Sequence, residues 1–254
     1  MENFFTLSGL GSREDAALVC LTFLLAGIVK GVIGLGLPTV AIGLLGMVMT
    51  PMEAAALLIV PSLVTNVWQL AAGKNLALLL RRLWPMLAGI CVGTWAGVYV
   101  LAMEPVRNAT AWLGAALMVY AIAGLASFRP SVSPWAEPWL SAPAGAVTGI
   151  VTAATGVFVI PAVPYLQALN LQKDDLIQAL GIAFTVSTLA LAAGLALEGS
   201  FRTSVAEASL IAVVPALAGM FAGQLIRRRV RPAVFRACFL AGLLALGSYL
   251  LLTT

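Results

Sequence analysis

The chain has 254 residues, 61% of them hydrophobic and 9% charged, with a mean hydropathy of +1.04 and a formal net charge of +4. A soluble domain carries about 25% charged residues, so this composition describes an integral membrane protein with almost no room for a soluble domain. No extramembrane module large enough to bind nucleic acid remains, and the positive charge comes from loop arginines that bear on topology. The chain contains no histidine, which excludes a Ser-His membrane protease and a His-based proton relay and speaks against zinc or haem chemistry. Cys20, Cys91 and Cys238 lie in separate apolar stretches without metal-ligand spacing and read as buried small hydrophobes. No metal and no cofactor is expected, and the chain is not read as an enzyme. The acidic N-terminus (Glu2, Glu14, Asp15) argues against a cleaved secretory signal, which needs a basic start.

Eight apolar segments follow one another, most of them long enough for a roughly 30 Å hydrocarbon core. The first, 16–49, is too long for one span and breaks near Lys30 to Pro38. The next three are 52–73, 83–101 and 106–126. A polar, Pro-rich linker at 127–138 joins residues 1–126, read as a first transmembrane repeat, to residues 139–254, read as a second. The fifth segment, 139–169, is again overlong and breaks near Gly156 to Pro164. The last three are 175–197, 205–226 and 233–252. The expected fold is thus an all-α polytopic membrane protein of two inverted repeats. Each repeat has a broken or hairpin segment plus three transmembrane helices.

The halves match in detail. Gly27 and Gly31 match Gly145 and Gly149, Pro51 matches Lys173 at a helix start, and Pro105 matches Pro232. Gly89-xxx-Gly93-xxx-Gly97 is aligned with Pro215-xxx-Gly219-xxx-Gly223, small residues that permit close helix packing in lipid. Charge bears on the topology. If every segment crosses once, loop cations divide almost evenly. If 16–49 and 139–169 are hairpins, one side holds Lys74, Arg81, Arg82, Arg129, Lys173, Arg227, Arg228, Arg229, Arg231 and Arg236. The other holds only Arg13, Arg107 and Arg202. That asymmetry fits the positive-inside rule and puts both termini on the periplasmic side. The alternative is a long, kinked helix at each break.

Lys30 is the only charged residue between Asp15 and Glu53. A charge in mid-membrane pairs, snorkels or faces a polar cavity, and an ammonium in a glycine-rich break suits an anionic ligand. Gly31, Gly34 and Gly36 would expose backbone N–H groups beside it. Ser62, Asn66 and Gln69, at spacings of four and three, share one helix face and could donate to substrate oxygens. In the second half Thr148, at the position of Lys30, joins Thr152, Thr155 and Gly156 at the break, and Thr188 lies on the following helix. These residues are the candidate substrate-binding set. Trp68 is a candidate for its border.

The run Gly27-xxx-Gly31-xx-Gly34-x-Gly36-x-Pro38, then Pro51, Pro61-Ser-Leu-Val-Thr-Asn66, the basic loop at Arg81-Arg82 and Pro85-xxx-Gly89-xxx-Gly93, resembles the sulfite exporter TauE/SafE family, also called the toluene sulfonate uptake permease family. The second half carries a weaker copy, with Thr152-Ala-Ala-Thr155-Gly156 in place of a more glycine-rich run. The resemblance implies a multi-pass carrier of the bacterial inner membrane. Its implied substrates are small sulfur-containing anions such as sulfite, sulfoacetate or other organosulfonates. It also implies coupling to a proton gradient; alternating access, one half rocking against the other around Lys30, Asn66 and the two breaks, is the mechanism expected of the repeats. The partners expected are the anion and membrane lipid; a homodimer is compatible with the sequence. An anion channel and a carboxylate carrier are the competing expectations.

Overall fold

The computed structural model describes residues 13–103, 109–126, 131–197, 203–227 and 229–253. Among these the chain forms ten helices and no strand. They are α1 (Arg13–Ile33), α2 (Leu37–Leu45), α3 (Pro51–Ala71), α4 (Leu76–Met103), α5 (Ala109–Leu125), α6 (Glu137–Thr155), α7 (Ala162–Ala168), α8 (Lys173–Leu197), α9 (Thr203–Arg227) and α10 (Pro232–Leu252). Six of them are long and apolar enough to cross a membrane: α1, α3, α4, α8, α9 and α10. Residues 127–130 of the expected linker lie outside the described residues.

Local chemistry sets several boundaries. Thr50 and Glu53 form a capping box at α3, with Thr50 N–H donating to Glu53 Oε2 at 2.9 Å and Glu53 N–H to Thr50 Oγ1 at 3.3 Å. Pro51 follows at the first turn, where its missing N–H costs nothing. The overlong segments are both split. Gly34 (φ +87°) and Gly36 (φ +106°) end α1 and start α2, and Gly156 (φ +72°) ends α6. These left-handed conformations favour glycine. The closures are alike: Gly34 N–H donates to Lys30 O and Gly156 N–H to Thr152 O, both at 2.7 Å. The basic pair Arg81-Arg82, expected in a loop, lies inside α4 instead, because the apolar run from Leu76 carries the helix through it.

Both broken segments turn back. In the second, Val132 N–H donates to Ala168 O at 2.9 Å, and Tyr165 Oη reaches Glu137 O and Ser141 Oγ in the first turns of α6. Hence α7 lies beside the start of α6, and the segment is a hairpin, not a kinked span. In the first, direction gives the same answer. Gly27 faces Ala216 and Gly31 faces Met220 and Gln224, so α1 and α9 run the same way. Ser209 meets Leu57 and Val60 while Phe221 meets Trp68, so α9 and α3 also run the same way. With α1 parallel to α3, residues 34–50 must carry the chain back. At nine residues α2 is about 13 Å long, too short to cross.

The packing is reciprocal. The first helix of each half crosses the third long helix of the other: α1 on α9, and α6 on α4. Helices α3 and α8 pair, as do α5 and α10. Both crossings are built on glycine. A Cβ on Gly27, Gly31, Gly219 or Gly223 would strike a backbone carbonyl of the facing helix, and so would one on Gly89, Gly93, Gly145 or Gly149. The contacts correct the sequence register by one turn. Gly219 meets Leu24 and Ile28 as Gly89 meets Ala142 and Ala146, so Gly89 corresponds to Gly219, and Pro85, not Gly89, to Pro215. The parallel pair α4 and α6 is also tied at its start by a two-pronged Arg82–Glu137 ion pair, 2.6 and 2.8 Å. The cysteines depart from expectation: Cys20 and Cys238 are exposed and Cys91 is half-buried. They sit on outer faces, where a small hydrophobe meets lipid as readily as protein.

The crossings give a paired prediction. Gly149→Ala places a methyl against Ile90 O and Thr94 N and should destabilise the protein by about 1–3 kcal/mol. Gly242→Ala, with nothing within 4 Å, should be neutral or stabilising through its helix propensity. Unfolding of both variants in detergent, followed by tryptophan fluorescence, checks the contrast.

Candidate functional site

Lys30 lies in the last turn of α1 with only 3% of its surface exposed. Its ammonium donates to Thr65 Oγ1 at 3.0 Å and to Asn66 Oδ1, both on α3. Among the described residues no carboxylate lies within ion-pair distance of it; the one such pair there is Arg82–Glu137. An ammonium has three donors, and two have protein partners. The arrangement is a buried cation solvated by neutral groups, with capacity for an anion.

The polar contacts continue across the interface to α8. Asn66 Nδ2 donates to Ser62 Oγ at 3.0 Å, and Ser62 Oγ lies 3.2 Å from Thr188 Oγ1. Thr188 uses its single proton on Phe184 O at 2.7 Å, so Ser62 is the donor to Thr188. The chain Lys30–Asn66–Ser62–Thr188 therefore points its donors one way, from the ammonium into the second half. Every member is buried.

The structure thus brings Lys30, Ser62, Asn66 and Thr188 together. Thr65, named beside them in the sequence but outside the candidate set, belongs with them. Gln69 is used elsewhere: its Nε2 donates to Ile177 O at 2.9 Å, while Gln178 Nε2 donates to Leu70 O at 2.8 Å, fastening α3 to α8. Gly31 is wedged against α9 at Met220 and Gly223, and Gly34 and Gly36 form the first break. Thr148, Thr152 and Thr155 are buried and donate to the carbonyls of Ala144, Thr148 and Val151, each at 2.7 Å. Gly156 packs near Ile42 and Ala55, so the second break touches the first half. Beyond it Phe158 stacks edge-on against Phe184 of α8 at 5.3 Å. Trp68 faces outward, 57% exposed, against Phe221, and does not border Lys30.

Ser209 went unseen in the sequence. Pro61 lacks an N–H and so leaves the Leu57 carbonyl without its helical donor. Ser209 Oγ of α9 donates to Leu57 O at 2.7 Å and accepts from Val60 N–H at 3.0 Å. One hydroxyl repairs the proline break directly beneath Ser62, Thr65 and Asn66. The proline signals that a carbonyl needs a partner; nothing local says the partner is 152 residues away.

A protein-family model described as Sulfite exporter TauE/SafE matches residues 19–250. The chain belongs to the sulfite exporter TauE/SafE family. Together with the six membrane-capable helices, this makes it a multi-pass membrane protein of a transporter family. No curated protein and no solved structure matched the chain in the same comparisons. The breaks, Lys30 and both glycine crossings all fall inside the TauE/SafE match.

Ser209→Ala should leave Leu57 O without a donor and remove a second acceptor of Val60 N–H, destabilising this TauE/SafE member by about 1–3 kcal/mol. Thermal unfolding in detergent measures it, and Ser209→Thr, which restores the hydroxyl, should recover most of the loss.

Proposed function

We propose that this protein is a secondary carrier of small sulfur-containing anions, such as sulfite, sulfoacetate or another organosulfonate, coupled to an ion gradient. The observation that carries the reading is the buried Lys30 ammonium with amide and hydroxyl partners but no carboxylate. A buried charge is costly unless paired, and a bound anion is the partner this site suits. Family membership supports anion transport as the class.

The carrier works by alternating access between two inverted repeats. Support comes from the reciprocal crossings and from helix directions: α1, α3, α5 and α9 run one way and α4, α6, α8 and α10 the other. The antiparallel pair α5 and α10, with Gly114 on Gly247 and Gly124 on Leu240, fits this order. In the same arrangement Lys74, Arg82, Lys173 and Arg229 share one side, the cytoplasmic one by the positive-inside rule. Both termini then face the periplasm of a bacterial inner membrane. Substrate oxygens would meet the Lys30 ammonium, with the remaining lone pairs satisfied from the α1–α2 break.

In proteoliposomes, wild-type protein should show saturable sulfite or organosulfonate flux. Lys30→Met should weaken apparent affinity by about 2 kcal/mol or more, roughly 30-fold, at unchanged amounts of folded protein. Flux of every tested anion unchanged in the variant would remove Lys30 from the site. Single cysteines placed at Lys74 and Arg229, both exposed, should be labelled from the same, cytoplasmic side. Labelling from opposite sides would contradict the hairpins and the inverted order.

A further inference from the structure

The second half repeats the surroundings of Lys30 without a lysine. Thr148 precedes Gly149 as Lys30 precedes Gly31, and the two glycines make equivalent crossings, with Ile90 and Met220. Counted from the helix starts at Pro51 and Lys173, Ser187 and Thr188 stand on α8 where Thr65 and Asn66 stand on α3. Thr65 Oγ1 receives the ammonium of Lys30. Ser187 Oγ, on a fully buried residue, has no hydrogen-bond partner.

A second buried hydroxyl without a partner, Thr94 Oγ1, lies in the same region. A Cβ on Gly149 would strike the Thr94 backbone nitrogen, which puts Thr94 against Gly149, the chain neighbour of Thr148. Trp95 Nε1 donates to Ala190 O at 3.2 Å, joining this turn of α4 to α8 one turn beyond Ser187. The Gly149 contact ties this turn of α4 to α6 and the Trp95 bond ties it to α8, so Thr94, Thr148 and Ser187 each lie within one turn of these two helix contacts.

The oxygens here are acceptors. Thr148, Thr152 and Thr188 each direct their proton to a carbonyl of their own helix, at 2.7 Å. Thr148 and Thr152 keep outward lone pairs to attract positive charge, and Thr188, which also accepts from Ser62, keeps one. The C-terminal end of α6, the negative end of its dipole, is within two turns. Neutral hydroxyl and carbonyl oxygens beside a broken helix suit a hard monovalent cation.

We propose that Thr94, Thr148, Ser187 and Thr188 bind a sodium ion, in the position that the tethered ammonium of Lys30 holds in the first half. The proposal rests on the carrier reading above and names its coupling ion as sodium, in place of the proton expected from the sequence. The directed chain Lys30–Asn66–Ser62–Thr188 links the two sites: a cation at Thr188 and an anion at Lys30 lie at its opposite ends.

The test is equilibrium binding of radioactive sodium to purified full-length protein in detergent, in choline buffer with no sulfur anion present. Wild type should bind saturably. Ser187→Ala and Thr148→Val should each weaken binding at least about tenfold. Thr148→Lys, which supplies a tethered ammonium of its own, should abolish it while sulfite binding persists. Absent saturable binding to folded wild type, or equal affinity in wild type and the folded Ser187→Ala and Thr148→Val proteins, overturns the sodium site. Because no sulfur anion is present, that result leaves the carrier reading intact; sulfite binding unaffected by Lys30→Met is what would overturn the latter.

Discussion

A buried ammonium without an acid is the constraint on which the rest of this structure depends. A lysine in the membrane costs several kcal/mol unless something replaces its water. Thr65 and Asn66 supply two acceptors, and they can do so only because α3 presents them at the level where α1 ends. That level is set by the hairpin. Were 16–49 one continuous span, α1 and α3 would run in opposite directions, and a different turn of α3 would face Lys30.

The hairpins depend in turn on close packing. Backbone at membrane depth must be buried in protein or line a cavity. At α1 and α6 the burial is achieved by helix crossings in which glycine admits the facing backbone, Gly27 and Gly31 against Gly219 and Gly223, and Gly145 and Gly149 against Gly89 and Gly93. Lys30 and Thr148 are each flanked by one of these contacts, so a position crowded at the backbone is also the one that places each of these side chains. Ser209 performs the matching service on α3, where Pro61 opens the helix below Ser62 and Asn66. The two halves are thereby built alike but charged differently, with a lysine on one side and a threonine on the other.

Much of this was legible in the sequence. The apolar segments lie close to the observed helices, apart from the third, which starts at Leu76 and not at 83, because charge-free runs bounded by Gly, Pro and basic residues leave little ambiguity in a membrane chain. Lys30 stood out for the same reason, and Asn66 and Ser62 followed from helix periodicity. What the sequence hid were partnerships between distant helices. Gln69 shares a face with Ser62 and Asn66, yet its length lets it reach Ile177 O one turn past the cluster. Glycines recur every fourth residue in these helices, so spacing alone pairs Gly89 with Pro215 as well as with Gly219, and only the facing carbonyls distinguish the two registers. Arg81 and Arg82 looked like a loop because they are charged, although Arg82 finds Glu137 at the mouth of the bundle and stays helical.

The place where an anion binds tests the role of Lys30 most directly. Selenite shares the shape and charge of sulfite and scatters anomalously, so a crystal of the protein soaked with it locates the ligand without reference to any activity. The anomalous peak is expected beside the break between α1 and α2, with the oxygens of the ligand in hydrogen-bond contact with Lys30 Nζ. A peak elsewhere in the bundle, with Lys30 still bonded only to Thr65 and Asn66, would contradict that role.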